Sequence, residues 1–203
     1  MPRTDLNVPF EEKNEAKRLG ARWDPARKIW FVPDGVDPRP FRNWLPKPAD
    51  VNVRSSMYYL AETVELCWKC GEPSRVFGIA VPAGYEFAEY DDEGNKIWES
   101  TGDMAFLSYI EYLPDSAQTR IRGLTTHYWL DFSKTTNSSY WMNHCERCGM
   151  KQGDHELFHE PNGAFLPMTP EDARAIKLHP VSERFEADAS YTESEAFQYI
   201  QAE

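Results

Sequence analysis

Two Cys-x-x-Cys-Gly units constrain the fold of this chain more than any other feature of its sequence. Cys67-Trp68-Lys69-Cys70-Gly71 is the first unit, Cys145-Glu146-Arg147-Cys148-Gly149 is the second, and together they use all 4 cysteines of the 203 residues. Two residues between a pair of cysteines let a tight turn direct both sulfurs at one ion, and zinc favours a tetrahedral set of thiolates. The glycine after each second cysteine can adopt the left-handed conformation that turns backbone amides toward the sulfurs.

These units predict a zinc ribbon with one structural Zn²⁺ ion, whose four ligands are Cys67, Cys70, Cys145 and Cys148. Its two knuckles are separated by an insertion of 74 residues, 71–144. Four protein ligands leave no position for a catalytic water, so the expected role of the ion is structural. Three alternatives stay open: iron in a rubredoxin-like site, a redox-active cysteine pair, and four free thiols. His144, next to Cys145, is a candidate spare ligand.

Charge divides the chain into two parts. The 22 Lys and Arg residues stand against 33 Asp and Glu, a formal net charge of -11, which argues against a protein whose whole surface coats nucleic acid or an anionic membrane. Residues 1–48 nevertheless hold 10 basic and 7 acidic side chains, a net charge of +3, while residues 49–203 have a net charge of -14. Pro46 and Pro48 disfavour helix and strand at the boundary. We therefore expect a mildly basic module, 1–48, and an acidic domain, 49–203, with an acidic tail after Glu183.

The helix and strand signals predict an α+β protein. Residues 1–48 are expected to form a small β-α-β-α module, with strands at 6–8 and 28–32, a helix at 11–19 and a final helical turn at 41–45. Its three tryptophans are expected in its core, namely Trp23, Trp30 and Trp44. The second domain is predicted to be mainly β and built around the zinc ribbon, with strands at 76–81, 86–90, 96–99, 104–112, 126–132 and 139–143 and a helix at 170–177.

The N-terminal module resembles a known family. Three of its segments carry the resemblance: Leu6-Asn7-Val8-Pro9-Phe10, Gly20-Ala21-Arg22-Trp23-Asp24 and Trp30-Phe31-Val32-Pro33. Over residues 4 to about 46 they are similar to the DUF5710 domain, which occurs in plasmid conjugation primases of the TraC type and in many uncharacterised bacterial proteins. The resemblance implies a role close to nucleic-acid transactions of mobile elements. It does not imply primase chemistry, because the sequence contains no visible primase catalytic segment.

Basic side chains of the module form a candidate nucleic-acid surface. Lys13 and Lys17 are four residues apart and therefore share one face of the predicted helix. The candidate phosphate contacts are Lys13, Lys17, Arg18, Arg22, Arg27 and Lys28. Glutamates lie on the same short helix, so a solvated face with local ion pairs is the alternative interpretation.

A second motif, His155-Glu156-Leu157-Phe158-His159, matches the H-E-x-x-H pattern of zinc metalloproteases. That pattern requires a helix, which Gly153 and Pro161 limit to about six residues. In a strand the two histidines would lie about 13 Å apart, too far to share one metal. We therefore interpret the match as coincidental and keep a zinc hydrolase as an alternative.

The sequence as a whole favours a non-enzymatic, zinc-stabilised binding protein that contacts nucleic acid or a nucleoprotein complex of a bacterial mobile element. An alternative is an adaptor or inhibitor whose acidic domain binds a basic protein partner. No apolar run approaches the roughly 20 residues of a membrane span, and the first residues lack the apolar region of a signal peptide. The expected location is therefore the cytoplasm, where cysteines serve as metal ligands more often than they form structural disulfides.

Overall fold

The computed structural model describes residues 3–25, 29–45 and 50–200. The chain forms two compact units, Met1–Ala49 and Asp50–Glu203. Within the described ranges, no helix is both long enough and apolar enough to cross a membrane.

The first unit is a three-stranded antiparallel sheet with one short helix. Its strands are β1 (Thr4–Leu6), β2 (Arg22–Asp24) and β3 (Ile29–Val32), in the order β1-β3-β2. Helix α1 (Lys13–Arg18) follows a 3-10 turn at Phe10–Glu12, and a second 3-10 turn occupies Arg39–Phe41. The core consists of Leu6, Ala16, Ala21, Val32, Phe41 and Trp44.

Three details of the predicted β-α-β-α module differ from the structure. The first strand ends at Leu6 rather than spanning 6–8, because the Asn7 N–H leaves the sheet to bind the Trp44 carbonyl at 2.8 Å. Residues 22–24 form an additional strand, paired along their whole length with β3. The last element begins earlier than predicted, because a 3-10 turn at Arg39–Phe41 leads into the predicted helical turn at 41–45, in which the Leu45 N–H binds the Phe41 carbonyl at 3.0 Å.

The tryptophans of this unit are not all in its core. Trp44 is buried as predicted, but Trp30 is half-buried and Trp23 is 47% exposed. Trp23 lies on the edge strand β2, where it has a strand partner on one side only, and its ring centre lies 5.7 Å from that of Trp30. Its placement in the core was wrong.

The second unit is mainly β. Its strands are β4 (Val53–Ser55), β5 (Tyr58–Leu66), β6 (Pro73–Val81), β7 (Glu86–Tyr90), β8 (Lys96–Ser100), β9 (Ala105–Tyr112), β10 (Tyr128–Ser133), β11 (Ser138–His144), β12 (Lys151–Gln152), β13 (Lys177–Val181) and β14 (Phe185–Glu193). Eight of them form one antiparallel sheet in the order β13-β5-β6-β9-β14-β4-β7-β8, and the other three form a second sheet, β10-β11-β12.

Helices are few in this unit: α2 (Asp115–Leu124), α3 (Pro170–Arg174), a π-helical turn at His155–His159 and a 3-10 turn at Glu195–Tyr199. Helix α3 begins as predicted, with the Thr169 side chain accepting the Asp172 N–H and Pro170 at the first position. Helix α2 was not predicted. Its buried residues, Ala117 and Ile121, are spaced four apart and join the core of the large sheet.

The predicted acidic tail is wrong, because residues 185–193 form β14 in the interior of the large sheet. Phe185, Ala187 and Ala189 are buried on one side of this strand, and the acids alternate with them. This period of two is the signature of a half-buried strand, which the high charge of the segment obscured.

Two apolar clusters surround the large sheet. One contains the aromatic side chains of Tyr58, Tyr85, Phe185 and Trp141, and the other contains those of Phe106, Phe158, Phe165 and Phe197. In the second cluster the Phe158 and Phe165 rings pack on Gly78 of β6, where an added Cβ would lie 3.3 Å from both. The turn at His155–His159 therefore contributes to the core through its middle residues.

Candidate metal centre

Each Cys-x-x-Cys-Gly unit lies at the tip of an antiparallel hairpin. The first connects β5 to β6 directly after the Leu66–Pro73 pair, and the second connects β11 to β12 directly after the His144–Lys151 pair. The two hairpins belong to different sheets. Contact between the two tips therefore links the sheets at this point.

The backbone of the two tips is nearly the same. The N–H of the first cysteine binds the carbonyl five residues later, at 3.0 Å from Cys67 to Glu72 and 2.8 Å from Cys145 to Met150. The glycine N–H binds the carbonyl of the first cysteine, at 2.8 Å and 2.9 Å. Gly71 and Gly149 have φ angles of 72° and 71°, the left-handed values that the sequence predicts for these glycines.

The four sulfur atoms converge on one point, with all of them within 4.8 Å of one another. Cys67 Sγ lies 3.7 Å from Cys148 Sγ, and Cys70 Sγ lies 3.8 Å from Cys145 Sγ. A tetrahedron with metal–sulfur bonds of about 2.3 Å has edges of about 3.8 Å. Disulfide bonds are about 2.05 Å long, and all four cysteines are free. The cluster is thus compatible with a four-thiolate metal site.

The first cysteine of each pair is buried and the second is exposed. Burial raises the pKa of Cys67, but the backbone amides of Cys70 and Lys69 more than offset this effect and lower that pKa to about 6. The Glu72 amide lowers the pKa of Cys70, yet desolvation and the neighbouring sulfurs raise it to about 12. Cys145 and Cys148 repeat the pattern, with a lowered and a raised pKa respectively. Sulfurs this close compete for negative charge, which a bound dication relieves.

Polar contacts around the sulfurs hold the two tips together. Gln152 Nε2 donates to Cys67 Sγ at 3.3 Å, and the Trp68 indole N–H donates to the Lys151 carbonyl at 2.8 Å. The Arg75 guanidinium, on β6, pairs with the Glu146 carboxylate at 2.8 Å. This ion pair is a further contact between the first hairpin and the tip that carries Cys145 and Cys148. Such outer contacts orient ligands and tune a bound metal.

The basic residues proposed to contact nucleic acid lie in the first unit. Lys17, Arg18 and Arg22 are exposed, while the Lys13 ammonium lies 3.3 Å above the centre of the Phe10 ring. Arg18 is 3.9 Å from Glu15, the kind of local ion pair that the alternative interpretation expects. Arg27 and Lys28 lie outside the described residues.

Comparisons with known proteins connect the chain with DNA primases. The domain of unknown function DUF5710 matches residues 3–46. A DNA primase TraC of Escherichia coli is 53% identical over 128 residues, which cover 58% of this chain and 12% of that primase. A second DNA primase TraC of Escherichia coli is 55% identical over 48 residues, 24% of this chain and 3% of the primase. The chain thus spans a small fraction of the length of these relatives. No solved structure matches it.

The first match is too long to lie in the first unit alone. Its 128 residues exceed the length of the unit Met1–Ala49, so the similarity extends into the second unit.

The H-E-x-x-H segment does not assemble a metal site among the described residues, where the four cysteines form the one candidate cluster. The segment is a π-helical turn and not a strand, and its two imidazole rings lie 6.2 Å apart. Both histidines have other partners for their Nε2 atoms. His155 Nε2 lies 2.8 Å from a carboxylate oxygen of Glu160, and His159 Nε2 lies 3.0 Å from the Ser108 hydroxyl.

His144 is directed away from the sulfurs. Its ring stacks on Trp129 at 3.5 Å between centres, and its Nε2 lies 3.0 Å from an oxygen of Asp131. Burial raises the pKa of Asp131, but His144 and Lys151 more than compensate and lower it to about 2. His144 therefore supports the strand that leads to Cys145 rather than adding a ligand.

Sequence reasoning missed Asn143, which joins the two sheets beside the cluster. Its fully buried side-chain amide accepts the Phe77 N–H and donates to the Phe77 carbonyl, both at 2.8 Å. The Asn143 side chain thereby satisfies backbone groups of β6 that a neighbouring strand would otherwise bind, at a position close in sequence to Cys145. Its position two residues before Cys145 was the one available signal.

Proposed function

We propose that this chain is a non-enzymatic binding protein, stabilised by one Zn²⁺ ion, that acts on nucleic acid or a nucleoprotein complex of a bacterial mobile element. The observation that carries the proposal is the cluster of four sulfurs, combined with the similarity of the chain to DNA primases TraC. The ion would be held by Cys67, Cys70, Cys145 and Cys148. It would supply no reaction chemistry, since all four positions of a tetrahedral site are occupied by thiolates.

The nucleic-acid contact would lie in the first unit. Lys17, Arg18 and Arg22 are exposed there, in a part of the chain whose net charge is +3, while the remaining residues are strongly acidic. Phosphate contacts dominate affinity for nucleic acid and make it dependent on salt. From the sequence, we propose that Arg27 and Lys28 also contact phosphate groups. We further propose that the protein is located in the cytoplasm, where thiols stay reduced.

Metal analysis tests the first part. The protein purified without added metal should contain one zinc per chain, and iron in its place would support the rubredoxin-like alternative. Replacement of Cys145 by serine should abolish metal binding, whereas the His155→Ala variant should still bind one zinc per chain. A second zinc that disappears in the His155→Ala variant would instead support a hydrolase.

Binding to labelled oligonucleotides tests the second part. We expect the full chain to bind single- or double-stranded DNA with an affinity that falls as salt rises. A Lys17→Ser, Arg18→Ser, Arg22→Ser variant should bind more weakly, with a salt slope smaller by about 2 to 3 for three lost phosphate contacts. A matched triple variant of exposed cations in the second unit, Lys134→Ser, Lys177→Ser and Arg184→Ser, should bind as the wild type does. Equal affinity and slope in wild type and first-unit variant would contradict the proposed contact.

A further inference from the structure

The strand β8 is the last strand of the eight-stranded sheet. Among the described strands it pairs with β7 alone, so its other edge has no strand partner within its unit. An unpaired edge presents backbone N–H and C=O groups that a further strand can bind. We refer to this side of Lys96–Ser100 as the β8 edge.

Backbone hydrogen bonds identify which groups face outward. The Asp91 N–H binds the Asn95 carbonyl at 3.0 Å, and the Ala88 N–H points away from β8 to the Asn52 carbonyl at 2.8 Å. Hydrogen-bonded and non-hydrogen-bonded pairs alternate along an antiparallel ladder. Ile97 and Glu99 therefore bond to β7, while the N–H and C=O groups of Lys96, Trp98 and Ser100 point to the β8 edge.

One side of the β7–β8 hairpin is already neutralised. The Arg54 guanidinium lies 4.1 Å above the Trp98 ring and pairs with both oxygens of Glu86, at 2.7 and 2.8 Å. Lys96 is ion-paired with Asp50. The charged side chains that the hairpin itself carries on this side, Glu86 and Lys96, are therefore both paired.

The opposite side carries three carboxylates that have no ion pair among the described residues, Glu89, Glu99 and Glu193, of which Glu193 accepts a hydrogen bond from the Tyr85 hydroxyl at 2.8 Å. They lie near Tyr191, which is 37% exposed and whose ring centre lies 5.4 Å from that of Phe87. Burial raises the pKa of Tyr191, and the three glutamates raise it further, as expected for uncompensated negative charge. Ile97, 39% exposed, adds an apolar side chain to the same side.

We infer that the β8 edge binds an extended segment of a partner protein, which adds as a strand and places lysine or arginine side chains at alternate positions, one beside Glu99 and one reaching across Ile97 toward Glu89. Backbone hydrogen bonds to Lys96, Trp98 and Ser100 supply the pairing, and the alternation of side chains in a strand puts every second residue on the acidic side. The aromatic rings beside the carboxylates add cation–π contacts. The inference is independent of the metal site and of the nucleic-acid contact.

Other occupants fit the same edge less well. In a second copy, antiparallel pairing of β8 with itself would put the Glu89 and Glu99 carboxylates of both copies on the same side of the joined sheet, which is repulsive. Nucleic acid would be repelled by the same charges.

Peptide binding to the full chain tests the inference. The probe is a short labelled peptide of alternating lysine and valine, and its control is the same peptide with glutamate in place of lysine. We expect the lysine peptide alone to bind, with an affinity that Glu89→Gln, Glu99→Gln lowers by about three- to tenfold through the loss of two surface ion pairs. The control Glu171→Gln, Glu195→Gln removes the same charge from other exposed positions and should have no effect.

A backbone variant separates strand addition from charge attraction. Ser100→Pro removes an outward N–H at an edge position that tolerates proline, whereas Ser100→Ala keeps it. Proline should weaken peptide binding and alanine should not, and amide exchange at Lys96, Trp98 and Ser100 should slow when the peptide binds to the wild type. If exchange at these amides is unchanged, or if the charge variant binds as tightly as the wild type, the inference is wrong. A chain that dimerises through this edge would also overturn it.

Discussion

At the scale of single residues, the cysteines carry the sharpest prediction. Cys145→Ser should remove the metal and lower the free energy of unfolding by several kcal/mol, since binding of structural zinc is coupled to folding. Lys69→Ser is the matched control, because Lys69 is exposed and lies in the other tip without providing a ligand. Metal content and thermal unfolding of both variants check the prediction, which fails if Cys145→Ser retains its metal.

A buried carboxyl group gives a second prediction. Asp154 is 2% exposed, its Oδ2 accepts the Tyr109 N–H at 2.6 Å, and its Oδ1 has no hydrogen-bond partner among the described residues. Burial raises the pKa of Asp154 to about 8 despite that hydrogen bond. Between about pH 4 and pH 8 the folded chain therefore holds a proton that the unfolded chain has lost, so this group reduces stability as the pH rises.

Asp154→Asn removes the titration and keeps an oxygen for the Tyr109 N–H. We expect the variant to be more stable than the wild type at pH 8 by more than about 1 kcal/mol, and this gain should shrink toward pH 4. Urea unfolding at several pH values measures it. A gain that stays constant with pH would show that Asp154 does not titrate as described.

The residues that could be predicted are those whose role depends on local sequence. The cysteines and the glycines behind them form a pattern of five residues, and the structure brings the sulfurs together as expected. The roles of Asn143 and Asp154 depend on Phe77 and Tyr109, which are distant in sequence. No local rule pairs such residues.

At the scale of elements, the H-E-x-x-H turn shows how a motif can serve the core. Leu157 and Phe158 are buried against the large sheet, whereas His155 and Glu156 of the same turn are exposed. Phe158→Ala should lower the free energy of unfolding by about 3 to 5 kcal/mol through the cavity it creates. His155→Ala, in the same turn, should cost less than about 1 kcal/mol. Urea unfolding distinguishes the two, and equal losses would contradict this view of the turn.

Elements were predictable where one physical signal dominated. Six of the 11 strands of the second unit lie close to their predicted positions, because turn residues and alternation mark them, while β4, β5, β12, β13 and β14 were not predicted. Strand β14 was missed because its charge outweighed its alternation, and helix α2 was missed because only two of its residues are buried. Strand β2 is three residues long, and pairing with β3 gives it a structure that its own sequence does not specify.

At the scale of the whole molecule, the metal would join two sheets that otherwise meet through side chains. Removal of the ion with a strong chelator should therefore lower the melting temperature by about 10 °C, the shift that a loss of roughly 3 kcal/mol causes in a chain of this size. Added zinc should restore it. Calorimetry checks this, with the Cys145→Ser variant as the control that should not respond to chelator. An unchanged melting temperature of the wild type would contradict the prediction, and it would mean that the polar contacts between the two tips hold the sheets together without a metal.

The distance along the chain between the two cysteine pairs also has a consequence for synthesis. At about 5 to 20 residues per second, a ribosome needs roughly 4 to 15 seconds to extend the chain from the first pair to the second. During this interval the nascent protein offers two thiols, Cys67 and Cys70, and half of a coordination sphere. A metal captured then would be held by two thiolates alone, so a four-thiolate site could select its ion only after Cys145 and Cys148 have left the ribosome.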